Sequence, residues 1–427
     1  MRIMKVAVAC VATVLAVAAG AASAAEGMKA VGAKAPAPLD LGPSAAPVPW
    51  QRYKVDSQGS SWPQTDWKEY SNSRASVTPE ASPPPKFTAP LVGDVDRGRQ
   101  LAYDRGRGGS CVVCHIFDKT TPSQPGNVGP NLSQIGAGRT EEWLFNYVWD
   151  PRIYNKNSIM PPWGAHRVYN AAEVRDIVAF LKTLQAPYEP ADKVENPATR
   201  PAPVDNRDNL DPTENPGMFA LDAGKALFAK AGPNGKSCAS CHAAPEKAFK
   251  TWAATMPKWE PRLKKVLGIE EFITRHARAT TGGEYLMQSD ANIALSIYLR
   301  NLANGAAIKV DARSPEARAA IRRANELMLR KVGQLNMACV DCHTKERHAN
   351  KWVRGQYLVE FKGTVAHFPT WRTSRGDIWD IRKRFQWCNV SVRANELPPD
   401  APEYGDIELA LAVLNQGEKL NVPGIRH

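Results

Sequence analysis

The sequence predicts a mainly α chain built from three similar units joined by proline-rich connectors. Two observations predict it. A short helical segment stands ahead of each of three C-x-x-C-H motifs, and a second segment with apolar helical spacing follows each of them at a distance. Proline, at 34 residues, outnumbers glycine, at 30, and crowds into two stretches with no sustained period, residues 25–91 and 187–215.

The elements follow in order. Arg2 and Lys5 ahead of an apolar run from Val6 to Gly20, and then Ala22-Ser23-Ala24, form a secretory leader over residues 1–24. Cleavage is expected near Ala24, and Cys10 is expected to serve there as a small hydrophobe rather than a lipid attachment point, so no membrane anchor is expected. Residues 25–91 are a Pro-rich lead-in containing Ser82-Pro-Pro-Pro-Lys86. The first unit, 92–186, has Gly98–Tyr103 before its motif and Val174–Leu184 after it. Residues 187–215 are the linker that best marks a domain boundary. The second unit, 216–310, has Gly224–Phe228 and Ile293–Leu302; the third, 311–427, has Asn325–Leu329 and Ile407–Leu414. Gly98, Gly224 and Asn325 precede the first motif cysteine by 13, 14 and 14 residues, which sets the repeat.

Cysteine usage defines the chemistry. Eight cysteines are present and the leader removes Cys10; an odd remainder argues against a simple disulfide framework. Six of the seven fall in Cys111-Val-Val-Cys114-His115, Cys238-Ala-Ser-Cys241-His242 and Cys339-Val-Asp-Cys342-His343. This is the attachment signature of c-type haem. Two thiols one helical turn apart add to the two vinyl groups, and the histidine that follows lies under the iron. A zinc knuckle or redox dithiol has no need of a histidine after every pair, and the exported setting also argues against both. Three covalently attached haem c groups follow, with His115, His242 and His343 as proximal ligands. A helix before the motif and another well after it is the layout of a small cytochrome c, so each unit is expected to be a cytochrome c-like haem domain.

The sixth ligands come from the residues between motif and last helix. Met160, in Ser158-Ile-Met-Pro-Pro162, lies 45 residues after His115, with His166 as the competing ligand. In the second unit the candidate is His276, with Met256 and Met287 as alternatives. In the third it is the leftover thiol, Cys388, 45 residues after His343. If its segment is helical, Arg384 and Cys388 share a face. Arg372, Arg375, Arg382, Lys383, Arg384 and Arg393 against Asp377 and Asp380 leave a local charge of +4, which should lower the thiol pKa and attract an anion. The whole chain carries +12, less the two leader cations, which favours anionic substrates or acidic protein partners. No finger-like or basic amphipathic motif points to nucleic acid.

These residues resemble the SoxAX cytochromes of bacterial thiosulfate oxidation, with both subunits in one chain. Gly98 to Leu184, with the first motif, Gly129-Pro-Asn-Leu132 and Met160-Pro-Pro162, resembles SoxX. The part from about Asn215 to His427 resembles SoxA through Phe368-Pro-Thr-Trp-Arg372, Arg384-Phe-Gln-Trp-Cys388 and Val392-Arg-Ala394. The resemblance implies an L-cysteine S-thiosulfotransferase of the periplasm. Thiosulfate is coupled oxidatively to a cysteine of the carrier SoxYZ, and two electrons leave through haem to a soluble cytochrome c. It makes Cys388 both axial ligand and catalytic sulfur, often carried as a persulfide in that family, and Arg384 the thiosulfate-binding residue. Two-haem SoxA proteins commonly place cysteine at the position of His276, so this chain is expected to carry a bis-histidine haem whose raised potential admits it to electron transfer. Two rival functions use the same parts: a thiosulfate dehydrogenase forming tetrathionate, and a non-catalytic multihaem electron carrier.

Overall fold

Helix pairs form where small residues let two backbones meet. The computed structural model describes residues 36–46, 84–106, 110–203, 210–394 and 396–427. Its longer helices are α1 (Val95–Tyr103), α2 (Glu141–Trp149), α3 (Ala171–Thr183), α4 (Met218–Ala229), α5 (Ile269–Thr280), α6 (Asp290–Asn301), α7 (Pro315–Leu329), α8 (Ile381–Ser391) and α9 (Pro402–Leu414). The helices expected before and after each motif pack together as α1 on α3, α4 on α6 and α7 on α9. A Cβ at position 98 would lie 1.9 Å from the carbonyl oxygen of Asp176, and one at 224 would lie 2.1 Å from that of Ala294. Glycine is required at both because the backbones touch. The third pair uses a row of buried alanines, Ala317, Ala320 and Ala324, instead. Asn325, which the repeat spacing places at this contact, is exposed: each helical residue turns the side chain by about 100°, so a one-residue offset takes it off the buried face.

Capping explains where these helices start. Asp94 accepts from the backbone of Asp96 and Arg97, Asn170 and Glu173 close a capping box, Ser314 caps α7 ahead of Pro315, and Asp380 caps α8 through Lys383. Phe117, Phe145, Val178 and Phe180 form the core of the first unit, which also takes in Leu335 from the third. A second core runs without a break from Phe228, Leu295 and Tyr298 to Leu327 and Leu411, so the second and third motifs share one apolar interior. Each such side chain contributes about 1.5–3 kcal/mol on full burial.

Short strands complete the second and third units. β1 (Lys258–Glu260) pairs antiparallel with β2 (Lys265–Leu267), and β3 (Trp352–Val353) with β4 (Gln356–Tyr357). β5 (Thr370–Arg372) lies between antiparallel β6 (Asp377–Trp379) and parallel β7 (Gly424–Arg426), with Arg372 opposite both Asp377 and Arg426. Two or three residues carry too little alternation to be read as strands from sequence.

The proline-rich stretch after the first unit is fastened down over its described part. Glu195 accepts from Ser123 Oγ and the Gln124 amide, and Arg200 donates to the carbonyls of Pro125 and Arg354. Pro38–His427 is one compact unit and Met1–Ala37 separates from it. The expected leader, residues 1–24 with Cys10, and residues 25–35 and 47–83 of the lead-in lie outside the described residues. No described helix is long and apolar enough to cross a membrane.

Candidate active site

Each motif opens a helical turn: Cys111–Val113, Cys238–Cys241 and Cys339–His343. A turn brings residues three apart to one side, which presents both thiols of a motif together. All seven cysteines among the described residues are free of disulfides. His115 donates Nδ1–H to the Pro130 carbonyl at 2.7 Å, and His343 to that of Val359 at 2.7 Å. Such a bond fixes the tautomer and leaves Nε2 as the nitrogen available to a metal. Gly129 belongs to the first of these arrangements, because a Cβ there would lie 2.2 Å from Cε1 of His115.

The residues expected opposite the proximal histidines are brought to them unequally. In the second unit α5 carries His276 to His242, with ring centroids 6.3 Å apart. One metal ion about 2 Å from each nitrogen fits between rings so spaced. Phe272, one turn earlier, stacks on His276 at 5.1 Å. Met256 is taken up by the shared core, and Met287 is buried with its amide on the Ser44 carbonyl. In the first unit Met160 packs on the core that also holds Cys111 and Leu132. His166 is engaged elsewhere: its Nδ1 bonds the Gln334 carbonyl at 2.8 Å, and Gln334 Nε2 donates to the His166 carbonyl at 2.7 Å. Burial lowers the His166 pKa to about 4.

The third unit assembles a thiol and two arginines. Cys388 and Arg384 lie one turn apart on α8, as the sequence spacing anticipates, and the thiol has the His343 ring as a neighbour. Burial pushes the thiol up, but the Arg384 guanidinium, the neighbouring His343 ring and Arg372 outweigh it and bring it from the usual 9.0 down to about 7. Burial instead pushes the motif thiols of Cys111, Cys114, Cys339 and Cys342 up to about 12.

The local +4 charge does not all reach the thiol. Arg382 is wholly buried and paired with Glu271 at 3.1 Å and Glu408 at 2.8 Å; Lys383 pairs with Asp377 at 2.6 Å. Arg375 lies 4.0 Å over the Trp387 ring. Arg384 and Arg372 remain beside the thiol without a carboxylate partner among the described residues, and Arg372 Nε is buried without a hydrogen bond. Burial and the neighbouring Arg384 lower Arg372 to about 10. Two guanidiniums within electrostatic range of a half-buried thiol are suited to an oxyanion. The sequence reading counted Arg372 only as one of six cations around Cys388 and within Phe368-Pro-Thr-Trp-Arg372, without singling it out; β5 is what places it in range of Cys388.

Comparison with known proteins supplies the family. Residues 223–308 match the family model described as SoxA/TsdA, cytochrome c domain, and residues 95–185 match that of cytochrome c. The SoxA subunit of L-cysteine S-thiosulfotransferase from Chlorobaculum thiosulfatiphilum is 31% identical over 210 residues, which are 48% of this chain and 70% of that protein. The chain belongs to the SoxA family. The SoxA subunit from Pseudaminobacter salicylatoxidans is 30% identical over 214 residues, 50% of this chain and 73% of the relative. Among solved structures, SoxXA from P. pantotrophus aligns with a TM-score of 0.48 at 26% identity, covering 52% of this chain and 84% of that one. This SoxA-family chain is thus an enzyme of the L-cysteine S-thiosulfotransferase type with a further cytochrome c domain ahead of its SoxA part. Cytochrome c domains imply covalently bound haem c. The paired motif thiols, the oriented proximal histidines and the His242–His276 spacing fit that group.

Proposed function

We propose that this chain couples thiosulfate to a cysteine of a SoxYZ carrier in the periplasm, as a single-chain SoxX–SoxA fusion. Three haems would be held by the motif cysteines, the first by His115 and Met160, the second by His242 and His276, and the third by His343 and Cys388. Haem supplies reversible one-electron chemistry at each centre. The observation that carries the reading is the Cys388 thiol one turn from Arg384 on α8, with Arg372 on β5 nearby and its Nε buried without a hydrogen bond.

Arg384 and Arg372 bind the sulfonate oxygens of thiosulfate and turn its sulfane sulfur towards Cys388. The bond formed overall joins that sulfane sulfur to the carrier cysteine sulfur; the carrier thiol gives its proton to solvent. Two electrons leave and pass to a soluble cytochrome c. The first unit stands ready to carry them, because its motif abuts the third one. Arg354 donates its amide to the Val113 carbonyl at 2.9 Å, Asn127 and Trp352 bond reciprocally, and the thiols of Cys114 and Cys342 lie within electrostatic range.

The test combines purified holoprotein, thiosulfate and oxidised cytochrome c, with and without carrier, followed by intact-mass analysis of the carrier and a tetrathionate assay. The expected result is a carrier bearing one thiosulfonate, lost in Cys388→Ser. Arg384→Ala is expected to lower kcat/KM about 10–100-fold, since a hydrogen bond to a charged group contributes about 1.5–3 kcal/mol. Tetrathionate without a carrier adduct would make the chain a thiosulfate dehydrogenase instead. Electron transfer with no sulfur product and no loss in Cys388→Ser would make it an electron carrier.

A further inference from the structure

We propose that residues 38–44 are a strap that holds His276 in place as the distal ligand of the second haem, through the bond between His276 Nδ1 and the Pro38 carbonyl. The inference rests on the reading of His276 as a ligand, and it gives the described part of the lead-in a task.

Three ligand histidines place Nδ1 on a backbone carbonyl. For His115 and His343 the carbonyl comes from the loop after their own motif, 15 and 16 residues on. For His276 it comes from Pro38, 238 residues away in sequence, at 2.9 Å. The segment that brings it there has no helix or strand and buries little apolar surface, with Leu41 58% exposed. Hydrophobic burial therefore does not explain its position.

Polar contacts to α5 and to the loop after α8 do. The Asp40 amide donates to the Arg275 carbonyl at 3.0 Å, and Arg275 Nη1 donates back to the carbonyls of Asp40 and Gly42 at 3.1 and 2.6 Å. Arg275 is itself held by buried Glu271 at 2.9 Å. Arg278 donates to the Pro43 carbonyl and pairs with Asp40 at 3.5 Å. At the far end the Ser44 amide and hydroxyl donate to Asp400 at 3.1 and 3.0 Å. Arg275 and Arg278 flank His276 on α5, so the strap is anchored on both sides of the ligand it orients.

A carbonyl on Nδ1 fixes the tautomer, directs Nε2 to the metal and makes the imidazole a stronger donor. His276 is half-exposed, so without that partner its ring would turn towards water and leave the metal more readily. The strap acts as a positioning element that keeps the second haem closed to outside ligands.

The test uses the full-length holoprotein with cyanide as probe, read by absorbance and electron paramagnetic resonance of the ferric state, with haem content checked by mass. His276→Ala is expected to open one haem to cyanide. Deletion of residues 38–44 is expected to keep the full haem content and to speed cyanide binding at that haem about 10-fold or more. Arg278→Ala combined with Ser44→Ala, which loosens the strap without shortening the chain, is expected to act in the same direction and decides the matter if the deletion does not fold. An opening by His276→Ala with wild-type rates in both strap variants would overturn the strap and spare the ligand. No effect of His276→Ala on cyanide binding would overturn the ligand assignment itself.

Discussion

Cys388 differs from the motif cysteines through its neighbours, since burial by itself pushes its thiol up as it does those of Cys111 and Cys339. Its arginine one turn earlier was legible, because helical spacing alone joins Arg384 to Cys388. The second arginine was legible only as one of six nearby cations, because Arg372 arrives on β5 and strand pairing is a long-range event. Arg382 shows the converse: equal in any charge count, it faces Glu271 and Glu408 in the interior and contributes nothing to anion binding. Asp380 is a further residue whose behaviour only burial sets. It caps α8 through the Lys383 amide at 2.6 Å, while its Oδ2 is buried without a hydrogen bond among the described residues. Burial, aided by the nearby charge of Glu270, raises its carboxyl from the ordinary 3.8 to about 7. Between those values the folded chain holds a proton that the unfolded chain has released. The stability this gives is complete below about pH 4 and is lost as the pH rises through 7. Asp380→Asn keeps a capping carbonyl and removes the titration. Its unfolding free energy is expected to fall less between pH 4 and pH 8 than that of the wild type; an unchanged fall would exclude Asp380 as the source.

At the scale of elements, the three helix pairs were legible because each has an apolar face at helical spacing and a fixed distance to a motif. The contact between them has a price only where a backbone is touched. Gly224→Ala is expected to destabilise the protein by about 1–3 kcal/mol through overpacking against the Ala294 carbonyl, measured by denaturant unfolding. The third pair escapes this constraint with its alanine row, which is why the spacing pointed one residue too far, to Asn325. The helix α5 was not read in the sequence, which singled out only its His276, and the strands β1 to β7 were not read either, since three residues give no period to read.

The whole molecule joins its first and third units through polar ties around the motifs rather than through the proline-rich stretch alone. His166 and Gln334 exchange two hydrogen bonds across that boundary, and both residues are buried. Gln334→Ala removes one of them at a cost of about 1–3 kcal/mol. Limited proteolysis between residues 201 and 216 is expected to become faster and the thermal midpoint to fall; equal proteolysis would show that the other ties suffice. Joining the units in one chain keeps them together at any dilution, so the electron transfer proposed between them would be intramolecular.

What the sequence determined by itself is local: three C-x-x-C-H motifs, the helices that flank them, and the Arg384 to Cys388 spacing, all set by residues within a few turns of each other. The tertiary structure decided what lies across the fold: which basic residues reach the thiol, that His166 ties two units together, and that Pro38 meets His276. Those outcomes depend on burial and on strand and loop pairing between distant segments, and the free energy of such contacts is written in no single stretch of the chain.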